Sequence, residues 1–460
     1  MRKTRSRTTL VIIIAVLVII GMVVFIVRTA MNSQQWIQHT YNGHLSGNGG
    51  LSTAGAIYDR NGIPLAYSEN DLRLYNQDHM TRLSTLHVVG DDSLNISTAI
   101  QSSYRAKLIG FNYIWGLGMP KSLKGGNDIH LNIDANACNA AYNALNGYNG
   151  AVVVYNYKTG EVLCSVSTPT YDPLDPPEIT EENEAEYDGI YIDKVLAGRY
   201  TPGSIFKVVT LASALENING VEDEIFRCDG SVIIGGEKIS CMHNHGDITL
   251  KDGLAQSCNI VFAELAQRLG IEKMTATAEK MGFNSTYKIN GTITAQSTYN
   301  VDKANENDLA WSGIGQYTLE SNPMHMAIIC GAIANGGSTP LPEEIKSGVV
   351  ELKLDDSGDV NMLDSQLANK LDEYMRYNVT SYYGDGLFPS LTICAKTGTA
   401  EVGDDKEPHA WMMGYSQDKD IPLAFAAVVE NGGYGYSTAG PVAVAAMETC
   451  ANTLRAELYG

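Results

Sequence analysis

A chain of 460 residues, 44% of them hydrophobic, is long enough for more than one domain. Its formal net charge of −20 argues against nucleic acid and against an anionic membrane face as partner surfaces. Eight cysteines scattered through a chain that can build its own core are not a disulfide scaffold.

Arg2, Lys3, Arg5 and Arg7 precede an apolar run from Leu10 to Val27, close to the ~20 residues a helix needs to cross a bilayer. The basic flank stays in the cytoplasm and the remainder lies outside. The run is long for the apolar core of a cleaved signal peptide, and no small-x-small cleavage site follows it. The reading is a cytoplasmic tail over 1–9 and an uncleaved single-pass anchor over 10–28, with Trp36 near the headgroups. Gly, Ser and Asn from Asn42 to Leu51 mark a linker.

Asn61-Gly62, between the short apolar runs Gly55–Tyr58 and Ile63–Ala66, signals a hairpin in a small α+β module that with the linker fills 29–128. A second domain, 129–460, opens with a helix over Asp134–Leu145. The strands Gly150–Asn156 and Glu161–Ser167 then form a hairpin across a Gly-containing loop. Thr168–Pro177 and the acidic Glu178–Asp188 are expected to be exposed loop.

Thr201 is a good N-cap and Pro202 suits the first helical position, so a helix is predicted from there to about Glu216. Ser204 then lies in its first turn, with Lys207 three residues later on the same face. A serine hydroxyl becomes a nucleophile when a neighbouring base takes its proton. A lysine is such a base only when desolvation or nearby positive charge lowers its pKa.

Farther on, Ser257-Cys258-Asn259 precedes an apolar helix over Ile260–Leu269 and can bring a second hydroxyl and an amide into one cleft. Cys228 and Cys241 flank a turn-rich stretch and are candidates for pairing. With His243 and His245 they resemble a loose set of zinc ligands, but the spacing matches no standard structural site, so no metal and no cofactor are expected. Met324 and Met326 fall on a helix after Gly313-Ile314-Gly315-Gln316 and read as core. Leu391–Ala395 is a strand running into Lys396-Thr397-Gly398-Thr399-Ala400. Ala410–Tyr415 and Pro422–Glu430 are strands, and Pro441–Leu458 is a closing helix.

Each motif is weak alone, but Ser204-Ile205-Phe206-Lys207, Ser257-Cys258-Asn259 and Lys396-Thr397-Gly398 in this order are strong together. The chain resembles the penicillin-binding transpeptidases, and more narrowly the membrane-anchored class B enzymes of the PBPA-like type. Asp59-Arg60-Asn61-Gly62 and His409-Ala410-Trp411 add to the likeness. Gly315-Gln316-Tyr317 and Tyr383-Gly384-Asp385-Gly386 depart from the family's usual Gly-Gln-Gly and Gly-Thr-Gly, outside the three motifs.

The resemblance implies an α+β penicillin-binding and serine β-lactamase-like domain: a central antiparallel sheet flanked by helices, plus a helical subdomain. It implies a D,D-transpeptidase acting on peptidoglycan stem peptides and acylated by β-lactams. Ser204 is then the nucleophile, Lys207 the base, Ser257 the proton relay and Asn259 the group that orients donor and lysine. Lys396, Thr397, Gly398 and Thr399 bind the substrate carboxylate, and the N–H groups of Ser204 and Thr399 meet the oxyanion. A SEDS-type membrane glycosyltransferase is the partner such enzymes imply, at a bacterial cell membrane.

The nearest alternatives are a D,D-carboxypeptidase or serine β-lactamase. Against the lactamase, no Glu-x-x-x-Asn loop for deacylation is evident between Ser257 and Lys396. A non-catalytic β-lactam sensor or scaffold is disfavoured because all three motifs are intact, and because about nine residues before the span are too few for an output domain.

Overall fold

Residues 2–38, 51–110, 126–346, 358–403 and 406–459 are described by the computed structural model. The expected linker from Asn42 up to residue 50, and residues 111–125 of the N-terminal module, lie outside them. Helix α1, Arg2–Gln38, contains a stretch, Arg7–Arg28, that is long and apolar enough to cross a membrane.

The expected hairpin is present. Strand β1 (Ile57–Tyr58) pairs antiparallel with β2 (Pro64–Glu69), which pairs with β3 (Leu72–Tyr75) before α2 (His79–Val89). The Asp59 carboxylate holds the turn by accepting from the N–H groups of Asn61 and Ile63, at 2.9 and 2.7 Å. Arg60 makes a bidentate pair with Glu457 near the C-terminus, both contacts at 2.9 Å. Strand β4 (Ile129–His130), expected to open the second domain, instead pairs parallel with β1 and completes the N-terminal sheet.

Helix α3 (Ala135–Leu145) is capped by Asp134 and leads to β5 (Gly150–Asn156) and β6 (Val162–Thr168). The stretch after β6, expected to be exposed loop, is instead partly buried. Tyr171 is buried, its hydroxyl donating to Asp91 at 3.0 Å, and packs with Ile190 against Leu86, Ile96 and Ala99 of the N-terminal module. Apolar residues at 171 and 190 bracket the acidic run and anchor both its ends.

After α4 (Lys207–Asn217) come four short strands, β7 (Ile225–Cys228), β8 (Ser231–Ile234), β9 (Glu237–Ser240) and β10 (Gly246–Thr249). Helix α5 (Leu250–Ala255) and the long α6 (Asn259–Lys280) follow. Gly270 breaks α6 with φ of 73°, so its first part ends where the sequence predicts.

Helices α7 (Pro323–Ala334) and α8 (Ser365–Asn378) lead to β11 (Ile393–Ala400), β12 (His409–Ser416), β13 (Leu423–Val429) and α9 (Gly435–Tyr459). The central sheet has five strands in the order β11-β12-β13-β5-β6, all antiparallel. One row runs Thr397, Met412, Ala427, Val152, Val166. Helices α3 and α9 pack together on this sheet, and α7 packs against β5, β12 and β13. Every residue of β5, β6 and β13 is buried, and β5 and β13 accordingly read as largely apolar runs. Strand β11 is left at the edge, with the serine turn beside it.

Candidate active site

Ser204 sits on a tight 3-10 turn, Gly203–Phe206, and α4 proper starts only at Lys207. The predicted N-cap at Thr201, with Pro202 as first helical residue, is therefore five residues early for α4, and no side chain caps either element. Thr201 is held otherwise: its carbonyl accepts from Trp411 Nε1 of β12 at 3.0 Å. Gly203 has φ of 54°, and its N–H donates to the Gly315 carbonyl at 2.9 Å. A Cβ on Gly203 would stand 2.5 Å from the Thr399 carbonyl oxygen, and one on Gly315 would stand 1.9 Å from that of Gly203. Glycine at both positions lets the turn press against β11 and the 313–316 loop.

The Lys207 side chain is fully buried, 0% exposed, and Nζ donates to Ser257 O and Asn259 Oδ1, both at 2.7 Å, and to Ser257 Oγ at 3.2 Å. Lys396 is equally buried, and its Nζ donates to Thr397 O at 2.8 Å and to the same Ser257 Oγ at 3.2 Å. One hydroxyl oxygen thus bridges two amines that have no carboxylate partner among the described residues. Burial, then the charge of Lys396, pushes Lys207 down to about 7, and burial does the same to Lys396. The positive field that the sequence suggested is the second cause, not the first. Ser204 is half-buried, and its hydroxyl has no hydrogen-bond partner among the described residues.

Ser257 is held at φ of 56°, a conformation few non-glycine residues adopt. Its N–H donates to Leu254 O at 3.1 Å and that of Cys258 to Gly253 O at 2.8 Å, so α5 ends in a closed turn. Asn259 is the first residue of α6, and its Nδ2 donates to Ser240 O at 2.9 Å. This leaves the amide oxygen for Lys207.

Side chains from α8 occupy part of the free edge of β11. Arg376 donates to Ile393 O at 2.8 Å and Asn378 to Ala395 O at 3.0 Å. Thr397 N–H donates to the Tyr383 hydroxyl at 3.1 Å, which also meets Thr397 Oγ1 at 3.0 Å. By strand alternation the N–H of Thr399 faces the same edge, beside the turn that carries Ser204. Nucleophile, amine pair, bridging hydroxyl and strand edge thus meet in one cleft, as acyl transfer through a serine requires.

Residues 150–448 match the penicillin binding protein transpeptidase domain. The chain belongs to the penicillin-binding transpeptidase family. A relative named peptidoglycan D,D-transpeptidase PbpA, from Mycobacterium tuberculosis, is 30% identical over 324 residues, 63% of this chain and 64% of the relative. The match thus spans a little under two thirds of that relative's length. Penicillin-binding protein 3 of Bacillus subtilis is 27% identical over 382 residues, 75% of this chain and 56% of that one. Among solved structures, the ceftriaxone acyl-enzyme complex of M. tuberculosis penicillin-binding protein A superposes with a TM-score of 0.73 at 25% identity. It covers 87% of this chain and 99% of its own. The D,D-transpeptidase domain of a peptidoglycan glycosyltransferase from Eggerthella lenta gives 0.73 at 26% identity, with the same coverage.

In this penicillin-binding transpeptidase, Lys207, Ser257, Asn259 and Lys396 are joined by hydrogen bonds, and the turn that carries Ser204 packs against Gly398 and Thr399 of β11, the strand that also carries Thr397. Sequence reasoning missed Tyr383, which comes from a π-helical turn, Val379–Tyr383, continuing α8. Its motif was visible only as a departure from the family's Gly-Thr-Gly. Cys228 and Cys241 are both free thiols. The loose group of Cys228, Cys241, His243 and His245 is rearranged: His243 is exposed, while Cys258 of the Ser-x-Asn motif joins the other three with ligand atoms within 4.8 Å of one another.

Proposed function

We propose that this chain is a peptidoglycan D,D-transpeptidase working through an acyl-enzyme on Ser204. The observation that carries this reading is the Ser257 oxygen shared by two buried amines, with the free Ser204 hydroxyl on the adjoining turn. Lys207, with its pKa brought down to about 7, is unprotonated often enough at neutral pH to take the Ser204 proton. Ser204 Oγ attacks the carbonyl carbon between two terminal D-alanines. The N–H groups of Ser204 and Thr399 stabilise the resulting oxyanion, each donor worth about 3 kcal/mol. When the C–N bond breaks, the proton on Lys207 passes through Ser257 to the departing D-alanine amine. The amine of a neighbouring stem peptide then attacks the ester, its proton returns along the same route, and Ser204 is freed with a cross-link formed. Lys396, Thr397 and Thr399 hold the donor's terminal carboxylate at the edge of β11, with Gly398 keeping that edge close to the serine turn, where an added Cβ would come within 3.0 Å of Pro202 O.

A β-lactam enters the same site, because its ring carbonyl and carboxylate present the same two groups. Under this proposal the apolar helix is a single-pass anchor with residues 1–9 in the cytoplasm, and the catalytic domain lies outside a bacterial cell membrane, as the basic residues ahead of the apolar run support. On this reading the module within 29–128 is the docking face for a SEDS-type glycosyltransferase.

Incubation of the full chain in detergent with fluorescent penicillin is expected to give a long-lived adduct on the peptide carrying Ser204, located by mass spectrometry. Supplied with a D-Ala-D-Ala donor and an amine acceptor, the enzyme should release D-alanine and form the amide. Labelling that persists in Ser204→Ala would overturn the assignment, and rapid release of hydrolysed penicillin would make the protein a β-lactamase.

A further inference from the structure

Sγ of Cys228, Cys241 and Cys258 and Nδ1 of His245 lie within 4.8 Å of one another next to the Ser257 turn. The residues follow the spacing Cys-x12-Cys-x3-His-x12-Cys, so three separate segments are brought together. Cys228 ends β7, Cys241 follows β9, His245 precedes β10, and Cys258 is the middle residue of the Ser-x-Asn motif. Cys241 Sγ lies 3.9 Å from Cys258 Sγ and 3.6 Å from His245 Nδ1, and Cys228 Sγ lies 3.4 Å from the same nitrogen. With Zn–S of about 2.3 Å and Zn–N of about 2.05 Å, the edges of a tetrahedral site are about 3.8 Å between sulfurs and about 3.6 Å from sulfur to nitrogen. These three separations match the edges of a coordination tetrahedron, and the remaining three are within 4.8 Å.

We propose that Cys228, Cys241, His245 and Cys258 bind one zinc ion that holds the Ser257–Asn259 turn in its working geometry. Three soft thiolates and an imidazole in tetrahedral array favour zinc over the oxygen-loving divalent cations. Four protein ligands leave no open position, so the ion is structural and takes no part in acyl transfer. Cys228 and Cys258 are fully buried and the other two half-buried, which limits access of oxidants and chelators. The Asn259 N–H donates to Cys241 Sγ at 3.3 Å, the kind of outer hydrogen bond that supports a metal-bound thiolate. His245 Nε2 is buried and has no hydrogen-bond partner among the described residues, where Nδ1, facing the sulfurs, makes the ring's polar contacts. Because Cys258 stands between Ser257 and Asn259, the ion would brace the two residues that hold the Lys207 amine.

The site itself is independent of the proposed activity; only its bracing of the turn rests on that reading, and the experiment separates the two. Full-length protein purified in detergent without chelator should carry one zinc per chain by mass spectrometric metal analysis. Protein stripped of metal and titrated with Co²⁺ should develop a thiolate-to-cobalt charge-transfer band. Cys228→Ser should weaken binding by more than the roughly 10–100-fold lost with an outer partner. His245→Cys, which keeps four ligands, should retain the metal and guards against a mere folding defect. Stripping should lower the Tm and slow acylation by penicillin, and added Zn²⁺ should restore both. Trace zinc with no cobalt band, or a Cys228–Cys241 disulfide in the native protein, would overturn the site. Acylation at the same rate with and without bound metal would overturn the bracing role.

Discussion

Two regions flanking the serine turn bury lysines, and they do so on opposite terms. Lys194 pairs with Glu430 at the end of β13, with side chains only 8% and 22% exposed, and the Tyr200 hydroxyl donates to the same carboxylate at 2.8 Å. In the cleft, Lys207 and Lys396 meet only neutral oxygens. In the first region a counter-charge offsets desolvation, and the pair serves as a strut beneath Tyr200, whose ring lies 6.0 Å from that of Trp411. In the second no carboxylate among the described residues faces the amines, the nearby sulfurs of Cys241 and Cys258 only partly oppose the effect of burial on Lys207, and both amines are driven toward losing their protons. A buried lysine is a base or a strut according to its partner, and burial alone does not distinguish them.

The contrast breaks most sharply at Lys207. Lys207→Ala should lower the rate of acylation by fluorescent penicillin about 10³-fold, the usual worth of a positioned base, while the protein remains folded by circular dichroism. The opposite pattern is expected at the strut. Glu430→Gln leaves the Lys194 ammonium without its counter-charge and should cost about 3 kcal/mol of stability in thermal or urea unfolding. The folded fraction should still be acylated within a few-fold of the parent rate.

Converting one region into the other sharpens the point. Asn259→Asp puts a carboxylate where Oδ1 now lies, 2.7 Å from Lys207 Nζ. In the parent, acylation should rise as pH is raised through about 7, because the reactive form is the neutral amine. An adjacent anion favours the protonated form by about 1–3 pKa units. The acid limb of the pH–rate profile should therefore move to higher pH, and the rate at pH 7 should fall about tenfold or more. A limb left in place would mean that Lys207 is not the titrating base.

The parts of this arrangement carried by neighbours in sequence were legible. Ser204 with Lys207, Ser257 with Asn259, and Lys396 with Thr397 each announce themselves within a few residues, and the buried strands β5 and β13 read as apolar runs. What depends on distant contacts was not. The start of α4 shifts because Trp411, 210 residues away, holds the Thr201 carbonyl, and because Gly203 turns to a positive φ against Thr399. Cys258 could not be grouped with Cys228, Cys241 and His245 while the path of β7 to β10 was unknown. The fully buried state of Lys207 and Lys396, which decides their chemistry, depends on packing that no local pattern encodes.

Tyr383 offers the finest test, because it touches the cleft without touching either amine. Its hydroxyl accepts from the Thr397 N–H and meets Thr397 Oγ1, fixing the residue after Lys396 at the strand edge. Thr397 is half-buried, so in Tyr383→Phe water can replace part of what is lost. The expected cost is that of one ordinary hydrogen bond, about 1 kcal/mol, or about a fivefold drop in the second-order acylation constant. The acid limb near pH 7 should not move, since the phenol neither neutralises nor desolvates Lys207. A limb displaced in Tyr383→Phe as it is in Asn259→Asp would show that the proton affinity of the amine depends on the strand edge as well as on its own burial.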